Sequence, residues 1–160
     1  MEHEIHVVDR PGLRVLTKRL GVTMADLGPT LAQAFTEAYQ AIEAARATPA
    51  GPPFVIYHQV SEGRQSLDIE ICAPVNGMLD APALWHVGSL PAGTFASLLH
   101  IGAYDTVGVA HEALSTWIET HGFIPAGPAR EVYLSPPTTP PEQIKTIVEF
   151  PVSRVPATVG

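Results

Sequence analysis

The sequence Pro49-Ala50-Gly51-Pro52 recurs as Pro125-Ala126-Gly127-Pro128, a spacing of 76 residues in a chain of 160. Each copy leads directly into an apolar segment typical of a strand, residues 54–58 after the first copy and 130–134 after the second. A period of half the chain with only two copies does not build a solenoid. The repeat therefore predicts two related halves about a pseudo-twofold axis, with a ligand cleft between them.

A second matching element closes each half. Residues 69–75 and 146–152 are apolar runs that both end in Pro-Val, with a spacing of 77. Ahead of these runs, apolar residues recur at helical spacing, which predicts amphipathic helices over about 24–47 and 105–121.

The ends of these helices carry recognisable signals. The first helix has two acceptable starts, a Thr23 cap with Asp26 three residues later, or the pair Gly28-Pro29. Asp105 is expected to cap the second helix, and Gly122 is expected to end it.

Each half thus has the order strand, strand, helix, strand, strand. The strands are predicted near residues 5–8, 13–20, 53–59 and 67–73, and again near 84–87, 94–101, 130–134 and 144–150. We expect an α+β fold, one domain over residues 1–160, whose internal repeat spans about 5–75 and 84–152. The two strand–helix–strand–strand modules would form a curved antiparallel sheet with both helices on one face, leaving the opposite face to line a groove.

Composition narrows the function classes. The formal net charge is −7, and the longest basic cluster is Lys18-Arg19, so direct binding of nucleic acid is not expected. No apolar stretch reaches the roughly 18 residues of a membrane span, and Met1-Glu2-His3-Glu4 is not a signal peptide. A cytoplasmic protein is the simplest expectation. The single cysteine, Cys72, lies in an apolar run and is expected to be a buried thiol.

Glu131 is the first candidate site residue. It stands where the repeat copy has Val55, and a carboxylate at an apolar strand position costs stability unless it is paired or partly hydrated. One interpretation is a solvent-exposed strand edge. The other is an acid facing ligand in a cleft walled by Tyr57 and Tyr133, whose rings offer an apolar face and one hydroxyl each.

Two further residues are candidates for the site, but for each a purely structural position explains the sequence at least as well as a ligand-binding role. Glu70 is either a second cleft acid or an exposed edge residue, and Trp85 is either a core residue or a pocket wall. The seven histidines have no spacing typical of a metal site, and neither a phosphate-binding loop nor a nucleophile elbow is present. No metal and no cofactor are expected.

A family resemblance is carried by residues 51–58, 68–75, 90–93, 100–105 and 127–134, and its most specific part is the Glu-x-Tyr element after Gly-Pro. In these segments, in order and over almost the whole chain, the sequence resembles the GyrI-like superfamily. That superfamily comprises the effector-binding domains of AraC-type and MerR-type regulators and their free-standing relatives.

The resemblance implies two tandem modules with a ligand cleft between them and places Glu131 in that cleft among aromatic residues. It also implies ligands that are bulky and flat, cationic ones among them, while some free-standing relatives hydrolyse cyclopropane-bearing toxic compounds and others bind DNA gyrase. Because no helix-turn-helix segment accompanies the domain in this sequence, direct control of transcription is not expected.

Three functions follow as hypotheses. The leading one is a stand-alone binder of aromatic small molecules, with Tyr57, Tyr133 and Trp85 stacking on the ligand and Glu131 supplying charge. The enzyme alternative uses Glu131 as general base and a tyrosine, Tyr133, to stabilise an oxyanion. The third is a protein-interaction module such as a gyrase partner.

Overall fold

A computed structural model describes residues 4–61, 63, 65–136 and 138–155, which form two α-helices and ten strands. In chain order these are β1 (Ile5–Arg10), β2 (Leu13–Thr23), α1 (Leu27–Ala44), β3 (Thr48–Pro49), β4 (Phe54–Val60), β5 (Ser66–Asn76), β6 (His86–Leu90), β7 (Gly93–Ile101), α2 (Val107–Thr120), β8 (Phe123–Pro125), β9 (Arg130–Tyr133) and β10 (Lys145–Arg154). The predicted α+β class and strand order are confirmed, and the two shortest strands, β3 and β8, are additional.

The chain divides into two compact units. The continuous unit comprises Pro11–Ala92, and the split unit comprises the described residues up to Arg10 together with those from Gly93 onward. In the continuous unit the antiparallel order is β4-β5-β2-β6, and in the split unit it is β9-β10-β7-β1. Both units therefore have the same strand order, with a short strand, β3 or β8, added to the closing strand.

The first strand of each sequence half lies in the sheet of the other half. β1 pairs with β7, and β6 pairs with β2. The sequence shows a Pro11-Gly12 turn between β1 and β2, but a turn signal does not specify which strand satisfies the edge hydrogen bonds. The two structural units therefore differ from the two halves of the predicted repeat, because β1 belongs to the split unit and β6 belongs to the continuous unit.

The repeated Pro-Ala-Gly-Pro has the same structural role in both units. Ala50 N–H donates to the carbonyl of Pro74 at 2.9 Å, and Ala126 N–H donates to that of Pro151 at 2.7 Å. A Cβ at Gly127 would lie 3.1 Å from the ring of Pro151, so glycine permits this close approach. In each unit the Pro-Ala-Gly-Pro motif is thus hydrogen-bonded to the Pro-Val motif, which explains why the two motifs recur together.

Each helix covers one face of its own sheet. Ala34, Ala38 and Ile42 of α1, and Ala110, Leu114 and Ile118 of α2, are buried at spacings of four residues. In the split unit they pack on Ala96, Leu98 and Val148. Burying a Leu or Ile side chain contributes roughly 1.5–3 kcal/mol, so these stripes hold the helices in place.

The helix ends differ in part from the prediction. α1 begins at Leu27, after Thr23 Oγ1 has accepted a hydrogen bond from Asp26 N–H, so Gly28-Pro29 falls inside the first turn. α2 begins at Val107 after a single 3₁₀ turn over Tyr104–Thr106, and this turn displaces Asp105 from the expected cap position. Gly122, with φ of 77°, follows α2 as predicted.

Candidate functional site

Glu131 lies on β9 of the split unit, on the sheet face that α2 covers. Its register partner is Val148 of β10, which is completely buried in the core with α2. Directly paired residues of antiparallel strands have side chains on the same face. The site at Glu131 is therefore under the helix, whereas the groove was predicted on the sheet face away from the helices. Sequence alternation separates the two faces of a strand but does not say which one the helix takes.

Both carboxylate oxygens of Glu131 have partners within the split unit. His111 Nε2 of α2 donates to Oε2 at 2.7 Å, and the Tyr133 hydroxyl donates to Oε1 at 3.0 Å. The Glu131 side chain is 8% exposed and that of His111 is 23% exposed, so the imidazole is the outer member of the pair. Glu131 is thus a buried, satisfied acid and not the exposed edge residue of the alternative interpretation.

Aromatic rings surround this pair. Tyr104 and Tyr133 are in edge-to-face contact, with ring centroids 5.8 Å apart, and His111 contacts Phe150 edge-to-face at 6.0 Å. Burial raises the pKa of the Tyr104 hydroxyl, and the negative charge of Glu131 raises it further. The site therefore combines one buried carboxylate with apolar ring surface, a combination suited to an aromatic cation.

Thr146 adds a polar group on the same face. It is the register partner of Tyr133 on one side and of His100 on the other. Its hydroxyl is completely buried and has no hydrogen-bond partner among the described residues. A buried hydroxyl without a partner costs about 1–3 kcal/mol of stability.

The strand that carries Glu131 is held from its other face by a buried ion cluster. Glu149 is 1% exposed and accepts hydrogen bonds of 3.0 Å from Arg10, Ser97 and Arg130. The Arg130 guanidinium also lies 4.1 Å from the centroid of the Phe95 ring. Because Arg130 precedes Glu131, this cluster fixes β9 in the register that directs Glu131 toward α2.

Glu70, the second predicted acid, belongs to the continuous unit. On β5 it alternates with the fully buried Ile69 and Ile71, so its side chain is on the face away from α1. It accepts hydrogen bonds from Thr17 at 2.7 Å and His58 at 2.8 Å. Burial would raise the pKa of the Glu70 carboxyl, but these bonds and the charges of His58 and Arg19 outweigh it and hold the pKa below its usual value.

The other two predicted residues also lie in the continuous unit. Trp85 is 6% exposed; its indole N–H donates to Glu37 of α1 at 3.2 Å, and the Lys18 ammonium lies 5.8 Å from its ring. Trp85 is therefore packed on the helix side of its sheet, away from Glu70. Tyr57 is half-buried on β4 at the position that corresponds to Tyr133.

A cavity of about 830 Å³ opens elsewhere in the continuous unit, between the end of β2, the first turns of α1, and β4 and β5. The described residues that line it are small, polar or aliphatic, and they include no aromatic side chain and none of the predicted site residues. This cavity is a poorer candidate for an aromatic ligand than the Glu131 site, because the described residues that line it offer no aromatic ring for stacking.

No group of three or more His, Cys, Asp or Glu side chains within the described part of the chain is placed to hold a metal ion. No helix in the same part of the chain is long and apolar enough to cross a membrane.

His111, which donates a hydrogen bond to Glu131, was not among the site residues predicted from the sequence. His111 lies four residues after Val107 and three before Leu114, so it stands on the apolar stripe of α2. A polar residue on such a stripe requires a buried partner. The sequence could therefore have indicated that His111 needs a buried partner, but only the fold identifies Glu131 as that partner.

Residues 3–153 match the family model of the GyrI-like small molecule binding domain. The chain belongs to this family.

Solved structures with the same fold include the C-terminal domain of EcmrR, which is 24% identical, with a TM-score of 0.82 over 97% of this chain and 100% of that one. In the EcmrR–DNA complex the match has 23% identity and a TM-score of 0.86, covering 96% of this chain and 58% of that chain. SAV2435, solved bound to tetraphenylphosphonium, is 17% identical with a TM-score of 0.57, covering 96% of this chain and 94% of that chain. No protein with a curated description matches the chain.

Proposed function

We propose that this GyrI-like domain binds bulky aromatic cations at the Glu131 site of the split unit. The observation that carries the proposal is a buried carboxylate whose partners are His111 and Tyr133, with the rings of Tyr104 and Phe150 around them. A cation needs a fixed negative charge, and a flat apolar ligand needs ring surface. The site supplies both within one unit.

The aromatic rings beside Glu131 favour binding of a ligand over a purely structural role. The partners of the carboxylate are side chains that can rotate away, and the imidazole is partly exposed. A structural relative, SAV2435, was solved with tetraphenylphosphonium, an aromatic cation. That compound is therefore the first probe.

The test is titration calorimetry of the wild type and Glu131→Gln with tetraphenylphosphonium. We expect the substitution to weaken binding by about tenfold or more, which corresponds to losing one charge-assisted contact of about 1.4 kcal/mol. Glu70→Gln is the matched control, because Glu70 has the same kinds of partners but lies in the continuous unit, on the face away from α1. Equal affinities for the wild type and Glu131→Gln, with both folded, would contradict the proposal.

The same samples separate binding from hydrolysis. After long incubation with a cyclopropane-bearing aromatic compound, a binder returns it unchanged. A water-added product that requires Glu131 would replace the binding proposal with the enzyme alternative, in which the Glu131 carboxylate acts as general base.

A further inference from the structure

We propose that Thr146 determines the specificity of the Glu131 site, and that its buried hydroxyl hydrogen-bonds to a hydroxyl or amino group on the bound aromatic cation. This inference rests on the proposed function and narrows its ligand class. Aromatic cations that carry such a group are preferred over cations whose rings bear only hydrocarbon.

The first support comes from the position that matches Thr146 in the continuous unit. Thr146 of β10 is paired with Tyr133, and the corresponding pair in the continuous unit is Ile69 with Tyr57. Both Thr146 and Ile69 are completely buried. An apolar side chain therefore satisfies the fold at this position, and packing does not require the hydroxyl of Thr146.

The second support is that polar residues replace apolar ones at neighbouring positions of the same face. Glu131 stands where the continuous unit has Val55, and His100 stands where it has Leu20. Together with Thr146 they form a group of polar side chains on the sheet face that α2 covers. A few polar groups placed within an otherwise apolar environment are typical of a ligand site.

The third support is that the Thr146 hydroxyl has no hydrogen-bond partner among the described residues. The polar groups of the residues paired with it are directed elsewhere. The Tyr133 hydroxyl donates to Glu131, and the His100 imidazole lies 3.0 Å from the Thr106 hydroxyl. Because a buried hydroxyl without a partner destabilises the free protein, a ligand group that bonds to it gains affinity by removing that penalty.

The fourth support is the proximity of Thr146 to Tyr133. Directly paired residues of antiparallel strands have Cβ atoms about 4.5–5.5 Å apart, so a ligand ring that stacks on Tyr133 brings its substituent within reach of Thr146. Tyr104, whose ring contacts that of Tyr133, is half-exposed and lies on a single 3₁₀ turn. The Tyr104 ring can therefore move aside for a ligand without breaking the pairing of β9 with β10.

The experiment is calorimetry with two phosphonium cations of equal charge and closely similar shape. (4-Hydroxymethylphenyl)triphenylphosphonium carries a hydroxyl where (4-ethylphenyl)triphenylphosphonium carries a methyl group. The ratio of their dissociation constants is measured for the wild type and for Thr146→Val, in which a methyl group replaces the hydroxyl. In the variant we expect this ratio to shift against the hydroxyl-bearing cation by about fivefold or more, which corresponds to one hydrogen bond of about 1 kcal/mol.

Two control variants test whether the shift comes from the hydroxyl. Thr146→Ser keeps a hydroxyl and should keep the wild-type ratio. Ile69→Val, a conservative change at the matched buried position of the continuous unit, should keep it as well. Because the ratio is formed within each protein, a loss of stability or of cation binding that affects both probes equally cancels.

The outcomes separate the two proposals. The same ratio in the wild type and Thr146→Val would overturn the role of Thr146, even if Glu131→Gln weakens binding of both cations. An equal shift in Ile69→Val, or the full shift in Thr146→Ser, would overturn it as well, because the preference would then not depend on the hydroxyl. If Glu131→Gln leaves both affinities unchanged, the binding proposal itself fails and the role of Thr146 at that site fails with it.

Discussion

Each unit contains a carboxylate that accepts hydrogen bonds from one imidazole and one hydroxyl, but the two carboxylates occupy different environments. Glu131 is bound by His111 and Tyr133 on the face that α2 covers, with aromatic rings around it. Glu70 is bound by His58 and a threonine on the face away from α1. A carboxylate with one imidazole donor and one hydroxyl donor thus occurs in both units. The sheet face on which each carboxylate lies decides that Glu131, and not Glu70, is beside the rings of Tyr104 and Tyr133.

This difference shows that a carboxylate–imidazole pair is not a ligand site by itself. The Glu131 pair joins β9 to α2 beside aromatic rings, whereas the Glu70 pair links neighbouring strands of one sheet, β2, β4 and β5. The two imidazoles are equally exposed, at 23%, so the aromatic rings and the deeper burial of Glu131 distinguish the two pairs.

The largest effect is expected at the ion cluster that holds β9. Glu149→Ala removes the carboxylate shared by Arg10 and Arg130, and breaking a buried pair in this way costs about 3–5 kcal/mol of unfolding free energy. The control is Asp68→Ala, which removes the partner of Arg19 in an exposed pair of the continuous unit. Denaturant unfolding should show a large loss for the first variant and no measurable change for the second. Equal losses of unfolding free energy in the two variants would mean that the burial of Glu149 does not make its ion pairs more important for stability than the exposed pair of Asp68.

A smaller effect is expected at Thr146, whose counterpart in the continuous unit is the buried Ile69. Thr146→Val keeps the shape of the side chain and removes a hydroxyl that has no partner among the described residues. Unfolding free energy should therefore stay equal or rise by about 1 kcal/mol. A loss comparable to that of a core truncation, measured by thermal or denaturant unfolding, would show that the hydroxyl is satisfied in the free protein.

The smallest effect concerns acid stability at Glu70. The folded state holds the pKa of this carboxyl below its ordinary value, so ionised Glu70 stabilises the fold above the unfolded-state pKa. That contribution is lost as pH falls from the ordinary carboxyl range through the lower folded-state pKa.

Glu70→Gln should therefore remove a small part of the acid dependence of unfolding, about 1 kcal/mol or less for a partly exposed group. The measurement is a series of denaturant titrations from neutral to acidic pH. An unchanged pH profile in Glu70→Gln would show that the bonds from Thr17 and His58 do not favour the ionised form.

Much of the fold followed from local signals. The repeated Pro-Ala-Gly-Pro and Pro-Val motifs predicted the matching of the two halves, because each pair of motifs meets in one backbone hydrogen bond, at Pro74 and at Pro151. The periodic apolar residues predicted both helices and eight of the strands. The short strands β3 and β8 were missed because two or three residues carry no periodicity.

The sequence by itself determined the α+β class, the repeat, the family resemblance and the choice of Glu131 and Tyr133 as neighbours on one strand face. These follow from spacing, since residues two apart on a strand share a face. Only the tertiary structure decided that α2 covers that face, that His111 meets Glu131, and that β1 belongs to the sheet of the split unit. Those contacts join residues distant in sequence, and they depend on which face a helix covers and which edge a strand pairs with. Local propensity and periodicity leave both choices open because either one satisfies the same backbone hydrogen bonds and the same apolar pattern.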